Sequence, residues 1–531
     1  MNGLWWRCLS LCIFIGTSIG APASEPSSDD NYWAQRSRFL IEESQVSLGG
    51  RMHFEYGERA ANNILMAAKE EEVDEGFVDP SSFLPARNFL TVVDEVRGSS
   101  TFQIIEKMPK GAALHIHDTA LTSADFVFEN ITFRDDLYVC RPADGSFQFR
   151  FRRVADKKVT CASSEGWELL ADLRANSSIK DEVDTRIRQA MTMIVPDPAK
   201  AYPNVNVAWI AFQNIFITIE PMLTYLPVYE DYYYQGLYEL YDDNVLYLEL
   251  RSTLPTLYDL DGNQYGPIEV ARLYKETTER FVKNHPDFIG TRLIYAPLRN
   301  ANDRQMDDYL TTFAALRKEF PDFVIGFDLV GQEEKGEPLA RFVDKLRAVS
   351  PSIRLFLHAG ETNWNGLSTD ENLIDAILLN ATRIGHGYAL LKHPRVLELA
   401  VEREVAIEVN PISNQVLTLV GDMRNHPASF LFARDYPVVL SADDPGLWGA
   451  RGLSYDFYEA FVGIMSRSAD IRALKQLALN SIKYSAMPDE EKVRAYEIWT
   501  EKWAKFITDM TYEYSIVSRS KRSCEVDFVP T

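Results

Sequence analysis

In the stretch Gly111-Ala-Ala-Leu-His-Ile-His-Asp118, two histidines stand two residues apart behind a short apolar run. Ala112–Leu114 reads as the start of a buried strand, and on a strand residues i and i+2 share a face. His115 and His117 therefore aim two imidazoles at one point, as a divalent metal requires of two nitrogen ligands. The same spacing also occurs on inert half-buried strands, so the pair needs company. That company is His358-Ala-Gly-Glu-Thr362, Gly385-His-Gly387 and Ser441-Ala-Asp-Asp-Pro445. The chain has 8 histidines, and four of them fall in these motifs. His115, His117, His358 and Asp443 offer three nitrogens and one oxygen, a set suited to zinc with one position left for water. A zinc ion makes hydroxide available from water at neutral pH. His386 can orient or deprotonate that water. Glu361, three residues after a ligand, can stay protonated in a dry pocket and donate to a substrate. Asp444 can accept a hydrogen bond from the substrate. No lysine stands where a bridging carbamate would hold a second metal, so one ion per chain is expected.

These residues need a frame that brings distant strand ends together. Eight short apolar runs recur from Gly111 onward: Ala112–His117, Val245–Arg251, Arg292–Arg299, Val324–Gly331, Leu355–Gly360, Arg383–Gly387, Ala406–Asn410 and Val438–Asp443. Helical stretches separate the later ones, such as Asp308–Glu319, Leu339–Val349, Thr369–Leu379 and Arg395–Arg403. Strands alternating with helices predict parallel βαβ units, and eight of them predict an α/β fold, a (β/α)8 TIM barrel. A doubly wound sheet is the alternative, but no G-x-G-x-x-G turn follows the first strand. Barrel enzymes build their sites at the carboxyl ends of the strands, where all four motifs fall.

The remaining chain divides around that barrel. Residues 1–20 carry Arg7 and an apolar run ending in small residues, the pattern of a secretory signal peptide and too short to span a bilayer. Residues 21–100 read as an all-helical preface, and the barrel extends over 101–515 with a tail at 516–531. The apolar side chains Phe39, Leu40, Ile64, Leu65, Val92 and Val93 predict that the preface self-associates into a homodimer. The gap between the first two strands is far longer than a crossover needs, so an inserted subdomain is placed at about 122–185. Cys140 and Cys161 lie there, close enough in sequence to bridge on an oxidising secretory route, while Cys524 stands apart. Its basic residues Arg150, Arg152, Arg153, Lys157 and Lys158 either meet an anionic partner or form a solvated strand face. Asn130, Asn176 and Asn380 head N-x-S/T acceptor sequences for glycosylation. Val493, Tyr496, Trp499, Trp503 and Phe506 keep helical spacing in a last helix from about Pro488, and Arg519–Arg522 resembles a processing site.

Composition narrows the partners. The 531 residues are 46% hydrophobic, enough for a large core, and the formal charge of −22 argues against nucleic acid. No further stretch is a membrane-span candidate. A secreted protein acting on a small molecule is the simpler expectation.

The motifs H-I-H-D, D-L-V-G at Asp328–Gly331, H-A-G-E-T, R-I-G-H-G and S-A-D-D-P resemble those of the adenosine deaminases in the metal-dependent hydrolase superfamily. The signal peptide, helical preface, long first insertion and N-P-I-S-N-Q at Asn410–Gln415 are similar to the secreted adenosine deaminase-related growth factors of the adenosine deaminase 2 type. The resemblance implies zinc on His115, His117, His358 and Asp443. It makes Glu361 the proton donor to purine N1 and His386 the helper of the attacking water. Asp444 and the Gly331 backbone would hold the purine, with Asp118 and Trp209 toward the ribose. It further implies adenosine or 2′-deoxyadenosine as substrate, a dimerising N-terminal region, and an insertion that meets a cell-surface receptor or an anionic glycan. A growth factor using its barrel only as a scaffold is the competing reading. Cytidine-type deaminases need a P-C-x-x-C pair, which the chain lacks, and AMP deamination would need a phosphate cradle at odds with the acidic balance.

Overall fold

The computed structural model describes residues 32–153, 160, 161, 163–349 and 353–526, with side chains described up to Ser515. The signal-peptide segment, Lys157 and Lys158 lie outside the described residues. The chain divides into two units, Met1–Gln45 and Val46–Thr531. In the first, a helix begins at Tyr32 and runs to Val46 with no buried residue; Phe39 is 66% and Leu40 53% exposed.

The second unit is built on eight parallel strands in chain order: β1 Gly111–His117, β2 Val245–Ser252, β3 Gly290–Tyr295, β4 Val324–Phe327, β5 Arg354–Ala359, β6 Arg383–His386, β7 Ala406–Val409 and β8 Val438–Leu440. Each pairs with the next, and the circle closes just past β8. There the His117 N–H donates to the Asp443 carbonyl and the Asp443 N–H to the His115 carbonyl, both at 3.0 Å. The sequence places all eight strands, as a (β/α)8 barrel demands. Its ends differ: β3 stops at Tyr295, short of Arg299, and β4 stops at Phe327, short of Gly331. Pro297 cannot donate to a ladder, and Asp328 leaves the sheet to turn its carboxylate inward. The expected helices appear as Asp303–Glu319, Val343–Val349, Ser368–Leu378 and Pro394–Glu402.

Gly385 shows how closely β6 approaches the site. A Cβ there would lie 3.0 Å from His115 Cε1 and 3.3 Å from His358 Cα, tight enough that a neighbour would have to shift by a few tenths of an ångström. Glycine lets β6 pass close beneath the His115 imidazole and the β5 backbone without displacing either.

Between β1 and β2, strands Leu137–Cys140, Gln148–Phe151 and Trp167–Leu169 form a small antiparallel sheet followed by helices Leu170–Ala175 and Lys180–Ala190. Cys140 and Cys161 are joined by a disulfide, as the spacing suggests. The described arginines of the basic run have partners within the chain. The Arg150 guanidinium lies 3.9 Å from the Tyr258 ring centre, Arg152 is buried beside Tyr138 and Trp167, and Arg153 pairs with Asp261 at 2.6 Å.

The preface from Val46 onward packs into the same core. Helix Glu58–Val78 buries Leu65, and Val92 and Val93 are buried as well. Ile64 packs against that core. Those apolar side chains therefore need no second copy of the chain to cover them, because the single chain already does; only the argument from Phe39 and Leu40 stands. Gln415 ties the preface down: its Oε1 accepts the Phe89 N–H at 2.6 Å and its Nε2 donates to the Arg87 carbonyl at 3.0 Å. The last helix, Asp489–Val526, buries Trp499, Trp503 and Phe506 but leaves Val493 exposed. No helix among the described residues is long and apolar enough to cross a membrane.

Candidate active site

Four side chains from the ends of β1, β5 and the turn after β8 converge. The ligating atoms of His115, His117, His358 and Asp443 all lie within 4.8 Å of one another. Asp443 Oδ1 is 3.3 Å from His115 Nε2 and 3.0 Å from His117 Nε2. His115 Nε2 and His358 Nε2 are 3.0 Å apart.

The tautomers follow from what stands behind the rings. His115 Nδ1 meets Glu408 at 2.7 Å and His358 Nδ1 meets Asp328 at 2.6 Å. Both carboxylates are fully buried and held ionised. Burial alone would raise their pKa values, but Arg251, Arg383 and His115 hold Glu408 well below the usual range, and His358 and Arg251 do the same for Asp328. An ionised carboxylate only accepts, so each Nδ1 carries the proton and each Nε2 presents a lone pair. Two lone pairs facing each other at 3.0 Å repel, unless an electrophile lies between them. With His117 and Asp443 beside them, this donor set fits a divalent ion of the zinc type. Burial lowers the pKa of His358 to about 4, so it stays neutral, as a ligand must be.

The carboxylates rest on a buried ionic lattice inside the barrel. Arg251 donates to Asp328 at 2.9 Å and to Glu408 at 2.7 Å, while Arg383 bridges Glu408 at 2.6 Å and Glu249 at 2.5 Å. Sequence reasoning missed this layer except for Asp328, which entered only within the D-L-V-G motif. Its available signal is charge inside apolar strands, as in Leu248-Glu-Leu-Arg251 and Ala406-Ile-Glu-Val409.

Glu361 stands beside the cluster, its carboxyl oxygen within 4.8 Å of His386 and Asp443. Burial and the charges of Asp443 and Glu333 push its carboxyl well above the usual range, which favours the protonated form. Glu333 also sets its position, accepting the Gly360 N–H at 2.9 Å and the Glu361 N–H at 2.6 Å. Burial would raise the Asp443 carboxylate, but the imidazoles of His386, His115 and His117 hold it ionised. Its neighbour Asp444 is raised by burial and by the Asp443 charge. His386 Nε2 lies 3.6 Å from Asp443 Oδ2, and His386 Nδ1 3.7 Å from Glu361 Oε1. His386 and Asp443 both adopt left-handed backbone (φ 59°), a conformation that costs a non-glycine residue about 1–3 kcal/mol and gathers at functional sites.

The other expected residues are placed less uniformly. Asp444 is buried, and its Oδ1 has no hydrogen-bond partner among the described residues, as suits a group that meets a ligand. Gly331 has φ 102°, and a Cβ there would touch only Leu298 at 3.8 Å, so its need for glycine is conformational. Asp118 is engaged within the protein: its Oδ2 accepts from Tyr229 at 3.0 Å, Tyr274 at 2.8 Å and Ser252. Trp209 is buried on helix Val205–Leu223 against Phe212. Asn130, Asn176 and Asn380 are exposed.

Known proteins resemble this chain in sequence and in fold. A family profile described as Adenosine deaminase matches residues 187–499, and one described as Adenosine/AMP deaminase N-terminal matches residues 11–105. The chain is 46% identical to an adenosine deaminase of Lutzomyia longipalpis, over 90% of this chain and 93% of that one. It is 41% identical to adenosine deaminase 2 of Homo sapiens, again over 90% and 93%. Among solved structures, the N6-mAMP deaminase of arabidopsis aligns with a TM-score of 0.51 at 17% identity, over 75% of this chain and 99% of that one, a likeness of fold.

Proposed function

This chain belongs to the adenosine deaminase family, and from that premise we propose that it is a secreted, zinc-dependent hydrolytic deaminase converting adenosine, and 2′-deoxyadenosine, to inosine and ammonia. The observation that carries the reading is the convergence of three imidazoles on Asp443 with the buried carboxyl of Glu361 beside it. His115, His117, His358 and Asp443 would hold one zinc ion, which supplies a water nucleophile at neutral pH.

The chain's own residues do the rest. Glu361 donates its proton to purine N1, which leaves C6 electron-poor and open to attack by water. His386 holds the attacking water on one side of the ring. Asp444 and the Gly331 backbone hold the purine edge, and Asp118 and Trp209 border the ribose. The C6–N bond then breaks and ammonia leaves carrying one of the water's protons, while the other returns to Glu361; inosine remains, with oxygen on C6 and the donated proton on N1. All the positions that this chemistry needs are filled, which supports an enzyme over a scaffold-only growth factor.

The apolar run of residues 1–20 supports export, and the disulfide suits an oxidising compartment. Outside the cell, the activity would lower extracellular adenosine. The exposed Phe39 and Leu40 support a homodimer formed through the N-terminal region, and the insertion remains the surface for a receptor or anionic glycan. The test is adenosine in heavy-oxygen water with purified protein: labelled inosine and free ammonia are expected. Adenosine that persists in the presence of zinc would refute the reading.

A further inference from the structure

The position of one proton near the reaction follows from a backbone amide outside it. Ala428 N–H donates to His426 Nδ1 at 3.0 Å. A backbone N–H has no other role to play, so Nδ1 of His426 is an acceptor and its proton sits on Nε2. That Nε2 lies 3.0 Å from Asn414 Oδ1, which accepts it. An asparagine amide shows its direction only through its network, and here one end is settled. The other end, Nδ2, is a donor, and it lies 3.1 Å from His386 Nδ1.

We propose that Ala428, His426 and Asn414 form a directional hydrogen-bond relay that fixes His386 in the neutral tautomer with its proton on Nε2. His386 then acts on the attacking water as a hydrogen-bond donor and not as its base. Nδ1 is filled by the Asn414 amide, so neither the Nδ1–H tautomer nor the imidazolium fits without turning that amide. Turning it would set the Asn414 NH2 against the His426 Nε2–H, donor against donor. His386, Asn414 and His426 are each buried. The other charged groups near His386 do not compete for Nδ1, since Glu361 Oε1 stands at 3.7 Å, beyond hydrogen-bond reach. Burial also holds His426 down to about 3, keeping it neutral. Asn414 belongs to the N-P-I-S-N-Q stretch, whereas His426 is a positioning residue that no motif marks.

This assignment of a role rests on the proposed deaminase reading, but the tautomer itself does not. Long-range proton–nitrogen NMR on zinc-loaded protein with labelled histidine reads it directly, with the His386 signals identified by their loss in His386→Asn. A bare, pyridine-type Nδ1 and a protonated Nε2 are expected; a protonated Nδ1 overturns the relay. His426→Phe keeps an aromatic ring but frees Asn414 to turn, and it should move the His386 proton and lower kcat about 10- to 100-fold with KM little changed. His426→Gln retains an acceptor for Ala428 and a donor for Asn414, so it should restore most of both. If His426→Phe lowers activity while the His386 tautomer stays put, the relay is wrong and the loss is one of packing. If wild-type protein fails to deaminate adenosine yet shows the expected tautomer, only the functional reading falls.

Discussion

Replacing Glu408 by glutamine keeps the shape of the side chain and removes one charge from the most buried part of the barrel. The carboxylate accepts from Arg383 Nε at 2.6 Å on one oxygen, and from Arg251 and His115 Nδ1, both at 2.7 Å, on the other. None of these side chains is more than 1% exposed, so water cannot replace a lost partner. A glutamine has one acceptor oxygen and must turn its NH2 toward donors on the other side. If the NH2 faces Arg383, a guanidinium loses part of its pairing and keeps Glu249 as its one remaining carboxylate, with the Tyr484 and Leu114 carbonyls. If it faces Arg251 and His115, the His115 proton is driven to Nε2, the atom that would hold the metal. Breaking a buried ion pair costs about 3–5 kcal/mol, a large share of the 5–15 kcal/mol that holds a typical domain together. Loss of a ligand's supporting carboxylate typically weakens metal binding by about 10- to 100-fold. Denaturant unfolding of the metal-free protein should show the first effect, and a competitive zinc titration the second. Stability within about 0.5 kcal/mol of wild type, as for a surface change, together with unchanged zinc affinity, would refute the lattice argument.

Glu361→Gln should abolish turnover while leaving zinc near one per chain, because the amide cannot give the proton and is not a ligand; turnover near wild type would sink the assigned role. His358→Ala should lose metal and activity together, as metal analysis would show. Reducing the Cys140–Cys161 bond, which closes a separation of 21 residues, removes about 3 kcal/mol of chain-entropy stabilisation from the insertion, so proteolysis should cut the insertion before deamination falls. For pH, burial lowers His426 from its usual 6.5 to about 3, so the unfolded chain binds the extra proton in between. Stability should therefore fall with acid from about pH 6.5 toward 3, by at most about 1.4 kcal/mol per pH unit from this group, and His426→Gln should flatten the slope.

How far the sequence was legible depends on how local each signal is. Strand alternation and the histidine spacing of β1 are local, and both the barrel and the clustering of His115, His117, His358 and Asp443 follow from them. The supporting lattice is not local: Arg251 and Glu408 are 157 residues apart and meet only because β2 and β7 face the same barrel interior. A lone charge in an apolar strand marks such a residue but cannot name its partner. The preface misleads for a related reason. Leu65, Val92 and Val93 look like surplus apolar surface until helices late in the chain, such as the one bearing Trp499 and Trp503, are seen to share one core with them. His426 carries no local mark at all, since its importance lies in which atom its backbone neighbour leaves free.

The most direct measurement follows adenosine absorbance near its maximum with purified protein, first as isolated, then after a chelator, then after added zinc. Absorbance should fall steadily, stop falling with the chelator, and resume its fall with about one zinc per chain. Deamination that continues undiminished in protein shown to be free of metal would contradict the zinc-dependent reading.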